Sequence, residues 1–262
     1  MKIGILYICT GKYSIFWRKF YDSAEHFFLP DTEKHYFVFT DSIEILETKN
    51  IHVRYESPKG FPLDSLMRFE MFLSVKDQLS EMDYVFFFNS NMQFMKSIGY
   101  EIIPSNVKSN LVALLQPGLY LSDRKQYPYE RNKKSSAYIP FNNASIYHYY
   151  MGSLNGGKTD AFMELCEECG KNIREDLKNG YIAIFHDESH LNFYLHGKDV
   201  LGLDPSFGYP EDSVLPFEPK ILILDKIKHG GKYFDKVPQK SYSLRLYLRL
   251  KRIYSALIWK FQ

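Results

Sequence analysis

Tyr84-Val85-Phe86-Phe87-Phe88-Asn89-Ser90-Asn91 is a five-residue apolar run that stops on three polar residues. Apolar side chains at every position, rather than at alternate ones, suit a strand covered on both faces. Such a strand belongs in the middle of an α/β sheet. Upstream, residues 2–8 read as a second buried strand, broken at Thr10-Gly11-Lys12. Residues 14–28 place Phe16, Phe20, Ala24, Phe27 and Phe28 at helical spacing. Residues 35–41 and 51–55 read as strands. Residues 64–81 read as one helix with Leu66, Phe69, Phe72, Leu73 and Leu79 inward. Strand and helix thus alternate up to Phe88, the pattern of an α/β fold. Ligands of such sheets bind at the carboxyl ends of the strands. This predicts that Ile8-Cys9-Thr10 and Asn89-Ser90-Asn91 meet at one rim.

Downstream, residues 111–115 predict a strand, and 117–145 form a long polar and aromatic stretch. Loops of that length are usually functional or mobile. Residues 159–178 predict a helix closed by Asn179-Gly180. Residues 188–196 predict another helix, 204–219 a loop with four prolines, and 221–224 a last short strand. The expected layout is one domain over residues 1–236 and a tail over 237–262.

The 262 residues carry 33 basic and 31 acidic side chains, a net charge of +2. That excludes the strong overall basicity of a typical nucleic-acid binder. Residues 240–262 hold six of the basic residues and no acid, leaving 27 basic against 31 acidic elsewhere. In this tail Leu246, Leu250, Ile253 and Leu257 share one helical stripe, and Arg245, Arg249 and Arg252 share another. A basic amphipathic helix suits an anionic membrane surface, while docking on its own domain or a second subunit is the alternative. Three cysteines, Cys9, Cys166 and Cys169, with no signal segment point to a reducing compartment. The expected location is cytoplasmic, with peripheral contact at the inner face of the membrane through residues 240–262. No run of 18 apolar residues predicts a transmembrane helix. Asn143-Ala144-Ser145 matches a glycosylation sequon, which carries no meaning without secretion. Cys166-Glu167-Glu168-Cys169 lacks a second pair for zinc and reads as structural.

Two segments carry chemistry. Phe185-His186-Asp187-Glu188-Ser189-His190-Leu191-Asn192 gathers a histidine and two acids at a helix start. They supply either a nucleophile, a hydroxyl acceptor and a donor, or merely acids favoured by the helix dipole. Asn89-Ser90-Asn91 stands where many nucleotide-sugar transferases carry an Asp-x-Asp for a divalent metal. Carboxamides offer dipoles but no charge to a hard cation.

Several stretches together carry a resemblance. They are Ala24-Glu25-His26, Tyr36 to Asp41, Met67-Arg68-Phe69-Glu70-Met71, Tyr84 to Asn91 and Tyr129-Glu130-Arg131. Ala137-Tyr138-Ile139-Pro140, Tyr149-Tyr150-Met151-Gly152 and His186 to Asn192 complete the set. In order and spacing, over roughly residues 2–235, the chain resembles glycosyltransferase family 6. That family contains the ABO blood-group transferases and the α1,3-galactosyltransferases. The closest likeness is to the short bacterial branch, which shares the Asn-x-Asn replacement. The resemblance implies a GT-A fold with a Rossmann-like nucleotide-binding half and a mixed central sheet. It implies retaining transfer of galactose or N-acetylgalactosamine from the UDP sugar, in α1,3 linkage, to a galactoside-terminated glycan. By the same likeness Ile8, Cys9, Thr10 and Tyr13 hold the uracil and ribose. Arg68 reaches the donor sugar, Asp187 binds its hydroxyls and Glu188 is the catalytic carboxylate. Gln116, Phe185 and His186 match acceptor-contacting positions. Asn89, Ser90 and Asn91 lie at the diphosphate.

Losing both carboxylates there removes most of the affinity for Mn²⁺ or Mg²⁺. No metal or other cofactor is therefore expected. The charge on the departing UDP must be met by basic residues, and Lys226, Lys228 and Lys232 lie where the family's C-terminal segment closes, with Lys228 favoured. Donor choice falls to Met151, Gly152 and Ser153. Met151, Ser153 and Gln116 tilt it toward UDP-galactose. A transferase for another UDP sugar and a catalytically silent sugar-binding homologue are the competing readings.

Overall fold

The computed structural model describes residues 1–123, 127–141 and 148–235. The sequon and the tail 237–262 lie outside the described residues. Ten strands occur among them: β1 (Lys2–Ile8), β2 (Glu33–Thr40), β3 (Ile51–Tyr55), β4 (Tyr84–Phe88), β5 (Met92–Phe94), β6 (Leu111–Leu115), β7 (Tyr150–Lys158), β8 (Leu201–Leu203), β9 (Tyr209–Pro210) and β10 (Ile221–Ile223). Seven form one sheet in the order β3-β2-β1-β4-β7-β6-β8, and β5-β10-β9 form a second. The run at 84–88 is the middle strand of the large sheet. It pairs parallel to β1 and antiparallel to β7, so the sheet is mixed. The architecture is the expected single α/β domain of GT-A type.

The alternation of β4 explains its uninterrupted hydrophobicity. Phe86 and Phe88 face Phe20 and Phe28, the former on helix α1 (Trp17–Phe27) and the latter just beyond it. Phe87 faces the opposite layer, 5.2 Å from the ring of Phe72. That layer holds α2 (Leu63–Leu66), α3 (Arg68–Leu73), α4 (Lys76–Leu79), α5 (Thr159–Lys178) and α6 (His186–Leu195). Cys166 and Cys169 are buried on α5, unpaired with each other, within this apolar layer. Two short helices, α7 (Lys226–Gly230) and α8 (Lys232–Asp235), follow the second sheet. No helix among the described residues is long and apolar enough to cross a membrane.

The short strands β5, β8 and β9, the last inside the expected loop 204–219, were not assigned from sequence, and two larger expectations need correction. Residues 64–81 are not one helix but three short ones, broken at Met67 (φ −89°, ψ 9°) and Val75 (φ −117°, ψ 18°). Val75 is β-branched and a weak helix former. The break before Arg68 lets its Nε reach the carbonyl of Ser65 at 3.3 Å. The second correction is β7, a nine-residue strand that the sequence reading did not assign. Gly156 and Gly157 disguise it, because glycine weakens a strand. Here glycine answers close packing. A Cβ on Gly156 would lie 2.4 Å from the Val85 carbonyl oxygen, and one on Gly157 2.3 Å from that of Asn110.

β7 also carries the feature that shapes the site. Against β6, Ala113 pairs with Asn155 and the next residue, Leu114, pairs with Met151. Residues 152–154 therefore bulge from that ladder. Bulges re-aim backbone groups near functional sites. This one turns Gly152 toward the start of α6.

Candidate active site

β1 and β4 run parallel with Tyr7 opposite Phe88, so the residues that follow them share one rim, as the topology required. The Tyr7 hydroxyl donates to the Ser90 carbonyl at 2.8 Å, tying the two strand ends together. Cys9 is fully buried, its N–H donating to Phe39 and its carbonyl accepting from Thr40. Thr10 is buried beside it and Ile8 is partly so. Asn89 N donates to the Ser153 carbonyl at 2.8 Å, joining the rim to the β7 bulge.

α6 enters from the other side of the rim. Its first residue, His186, has φ +52°, a left-handed conformation that non-glycine residues rarely adopt. The turn is pinned from within and without. Phe185 N donates to Ser189 Oγ, and Ile184 N donates to Glu130 Oε2 at 2.7 Å. Glu130 is buried and also accepts from Tyr181 and Asn132. Strain of this kind concentrates at functional sites. Phe185 and His186 are partly buried, and His186 meets the exposed ring of Phe61 edge-on at 4.9 Å. Gln116 lies beyond β6, its N–H bonded to the Tyr149 carbonyl.

The first turn of α6 brings two acids onto β7. Arg68 Nη1 lies 3.1 Å from Asp187 Oδ2 and donates to the Gly152 carbonyl at 2.6 Å. Its guanidinium also sits over the Phe87 ring, 4.6 Å from the centroid. Both partners of this ion pair are buried. Glu188 accepts from Gly152 N at Oε2 (2.7 Å) and from the Tyr149 hydroxyl at Oε1 (2.8 Å). Gly152 thus binds Glu188 through its N–H and Arg68 through its carbonyl. A Cβ there would come within 3.3 Å of Asp187 and 3.4 Å of Glu188. Burial pushes the Asp187 carboxyl up to about 6 against the opposing charge of Arg68. It pushes Glu188 up to about 7, against the two hydrogen bonds it accepts. Acids held near neutrality in a cleft mark functional sites. Burial also holds His186 below the ordinary histidine range.

Sequence reading missed two contributors, Tyr149 and Asn192. Asn192 stands one helical turn beyond Glu188, a spacing that is legible in sequence. It exchanges hydrogen bonds with both the N–H and the carbonyl of Tyr150, fastening α6 to β7. Tyr149 has no local signal, because its partner lies 39 residues away.

The polar rim has unmet capacity. Asn91 Oδ1, Ser153 Oγ and Asn155 Oδ1 are buried with no hydrogen-bond partner among the described residues. Met151 is partly buried beside them. Asn91 Nδ2 is committed to the Leu224 carbonyl. Two neutral side chains, one of them so tethered, do not make a donor set for a divalent cation.

The three lysines are placed differently from one another. Lys226 Nζ lies 3.3 Å from the Tyr13 hydroxyl and 4.9 Å from its ring centroid, at the loop after β1. Lys228, the lysine favoured from sequence, is exposed and paired with Asp212. Lys232 is exposed on α8.

Comparison with known proteins bears on the family. The family model described as glycosyltransferase family 6 matches residues 1–225. The chain is 39% identical over 228 residues to the O-antigen biosynthesis glycosyltransferase WbnI of Escherichia coli, covering 86% of this chain and 95% of that one. It is 32% identical to the histo-blood group ABO system transferase 2 of Rattus norvegicus, over 78% of this chain and 62% of the relative. Identity to the globoside alpha-1,3-N-acetylgalactosaminyltransferase 1 of Gallus gallus is 28%, over 86% of this chain and 66% of the relative. With the family model matching residues 1–225 and a relative 39% identical over 95% of its own length, the chain belongs to glycosyltransferase family 6.

Proposed function

We propose that the protein transfers galactose from UDP-galactose, with retention and in α1,3 linkage, to a galactoside-terminated glycan, without a metal ion. The observation that carries this reading is the Glu188 carboxylate, held at both oxygens beside the Arg68–Asp187 pair. Retaining transfer builds positive charge at the anomeric carbon. A fixed carboxylate beneath it acts as nucleophile or as electrostatic partner, and either role needs the ionised form. Asp187 and Arg68 would then hold the donor-sugar hydroxyls, and Gln116, Phe185 and His186 the acceptor.

Met151 and Ser153 are bulkier than the small residues that leave room for an N-acetyl group, which favours galactose over N-acetylgalactosamine. Ser153 Oγ, buried and unpartnered among the described residues, is a ready partner for a hydroxyl. At the diphosphate, Asn89, Ser90 and Asn91 offer dipoles only, so the developing charge falls to a cation. Of the three lysines we assign this role to Lys226, since it adjoins Tyr13 and the nucleotide-side loop while Lys228 is committed to Asp212. The acids-free basic stripe of residues 240–262, outside the described residues, suits peripheral contact with an anionic membrane that presents a lipid-linked or lipopolysaccharide acceptor.

The test is UDP release from UDP-galactose and from UDP-N-acetylgalactosamine, each with lactose or 2′-fucosyllactose, in excess EDTA. Acceptor-dependent release from UDP-galactose in EDTA is expected. Release only after Mn²⁺ is added would overturn the metal-free reading and the role of Lys226. Faster turnover of the N-acetylated donor would overturn the choice of sugar.

A further inference from the structure

Tyr149 is a buried phenol whose hydroxyl reaches a single acid. Its ring, 2% exposed, packs 5.5 Å from Tyr129 and 6.2 Å from Tyr127, with Ile139 and Leu119 completing the cluster. The Tyr129 hydroxyl in turn donates to the His148 carbonyl at 2.8 Å, bracing the backbone just before Tyr149. The next residue, Tyr150, is bolted to α6 through both its N–H and its carbonyl by Asn192. A phenylalanine would fill the same ring cluster without the cost of burying a hydroxyl. The hydroxyl instead meets that cost by bonding Glu188 Oε1 at 2.8 Å.

The charges around Glu188 give this bond its weight. Asp187 and His186 adjoin it on its own helix, and Asp187 opposes its ionisation. Arg68, from α3, favours ionisation but is spent on Asp187 and the Gly152 carbonyl. β7 contributes the Gly152 N–H, and Tyr149, the residue just before that strand, contributes its hydroxyl, with Tyr129 behind it. Tyr149 is therefore the one side-chain donor to Glu188 among the described residues. Its own proton is held far more tightly than in water, so it stays a donor through the working pH range.

We infer that Tyr149 is a positioning residue that fixes the direction of the Glu188 carboxylate and favours its ionised form, and that Leu119, Tyr127, Tyr129 and Ile139 serve to aim the Tyr149 hydroxyl. The inference deepens the proposed function and rests on Glu188 being the carboxylate of the reaction. These four residues thereby have a task at the reaction centre rather than only in packing.

Tyr149→Phe tests it, since the ring stays in its cluster. The acid limb of the kcat/KM profile is expected to move up by roughly one pH unit, the scale of one hydrogen bond to a charged acceptor. Turnover near pH 6.5 should fall about ten-fold and recover in large part near pH 9, with donor KM changed less than about two-fold. A purely structural loss would lower the whole profile without moving its limb, and that result would overturn the inference. A second arm needs no turnover. The pH dependence of urea unfolding is compared for wild type, Tyr149→Phe, Glu188→Gln and the double variant. Tyr149→Phe should alter the pH dependence when Glu188 is present and leave it unaltered when Gln replaces it. An equal effect in both backgrounds would overturn the coupling. If Glu188→Gln transfers sugar at the wild-type rate, the proposed function falls, while the unfolding arm still decides the Tyr149–Glu188 link.

Discussion

Replacing Glu188 by Gln is expected to abolish transfer and also to flatten the dependence of fold stability on pH. An unfolded glutamate titrates at its ordinary value of 4.5, whereas burial lifts the folded carboxyl to about 7. Between those values the folded chain holds a proton that the unfolded chain has released. Stability therefore falls as pH rises through this window, and the loss is complete above the folded value. From pH 5 to pH 8 a shift of this size corresponds to about 2 kcal/mol once the partial opening of the site to solvent is allowed for. Asp187, lifted from 3.8 to about 6, adds a fall of the same sign. Relieving it of a neighbouring charge works in the same direction as the substitution. Gln keeps an oxygen for the Gly152 N–H, and its amide can donate to the Tyr149 hydroxyl, which rotates to accept. Any misfit of the amide is a fixed cost that does not vary with pH. The quantity to read is therefore the difference in pH dependence, not stability at one pH. Urea unfolding at pH 5, 6, 7 and 8 should show wild type losing about 2 kcal/mol more than the variant across the series. Parallel curves would refute the reasoning, because they would mean that Glu188 ionises as easily in the fold as in water.

Two further outcomes follow from the same geometry. Arg68→Met leaves Asp187 buried without its cation, so about 3 kcal/mol of stability should be lost at pH 8 and distinctly less at pH 5, where Asp187 takes up a proton; urea unfolding at the two values reads this. Adding Asp187→Asn should restore part of the loss at pH 8. Lys226→Ala should lower kcat about 10²-fold in EDTA while moving the unfolding midpoint little, and Lys228→Ala should leave kcat within a few-fold, as steady-state UDP release would show.

The sheet was largely legible because apolar runs such as 84–88 report burial directly. Parallel β1 and β4 then follow from alternating strands and helices. β7 was illegible for a physical reason. Its glycines lower strand propensity, and only the backbones of Val85 and Asn110, brought close in space, show why nothing larger fits. The 64–81 helix was overextended because spacing reports which side chains face inward and not where the axis breaks.

At the site, residue types and local order were written in the chain. Asp187 and Glu188 are adjacent, Asn192 is one turn on, and the lost carboxylates at 89 and 91 are plain. Contacts across the fold were not. Pairing Arg68 with Asp187 needs the start of α3 brought to the start of α6, and joining Tyr149 and Gly152 to Glu188 needs α6 fastened beside β7. Among the lysines, the sequence reading favoured Lys228, whereas tertiary structure puts Lys226 beside Tyr13 and pairs Lys228 with Asp212. The sequence by itself determined the fold class, the family likeness and the chemical types at the site, since these depend on local pattern. Which groups meet, and so which carboxyls are held near neutrality, was decided only in the tertiary structure, because burial and hydrogen bonding act through space.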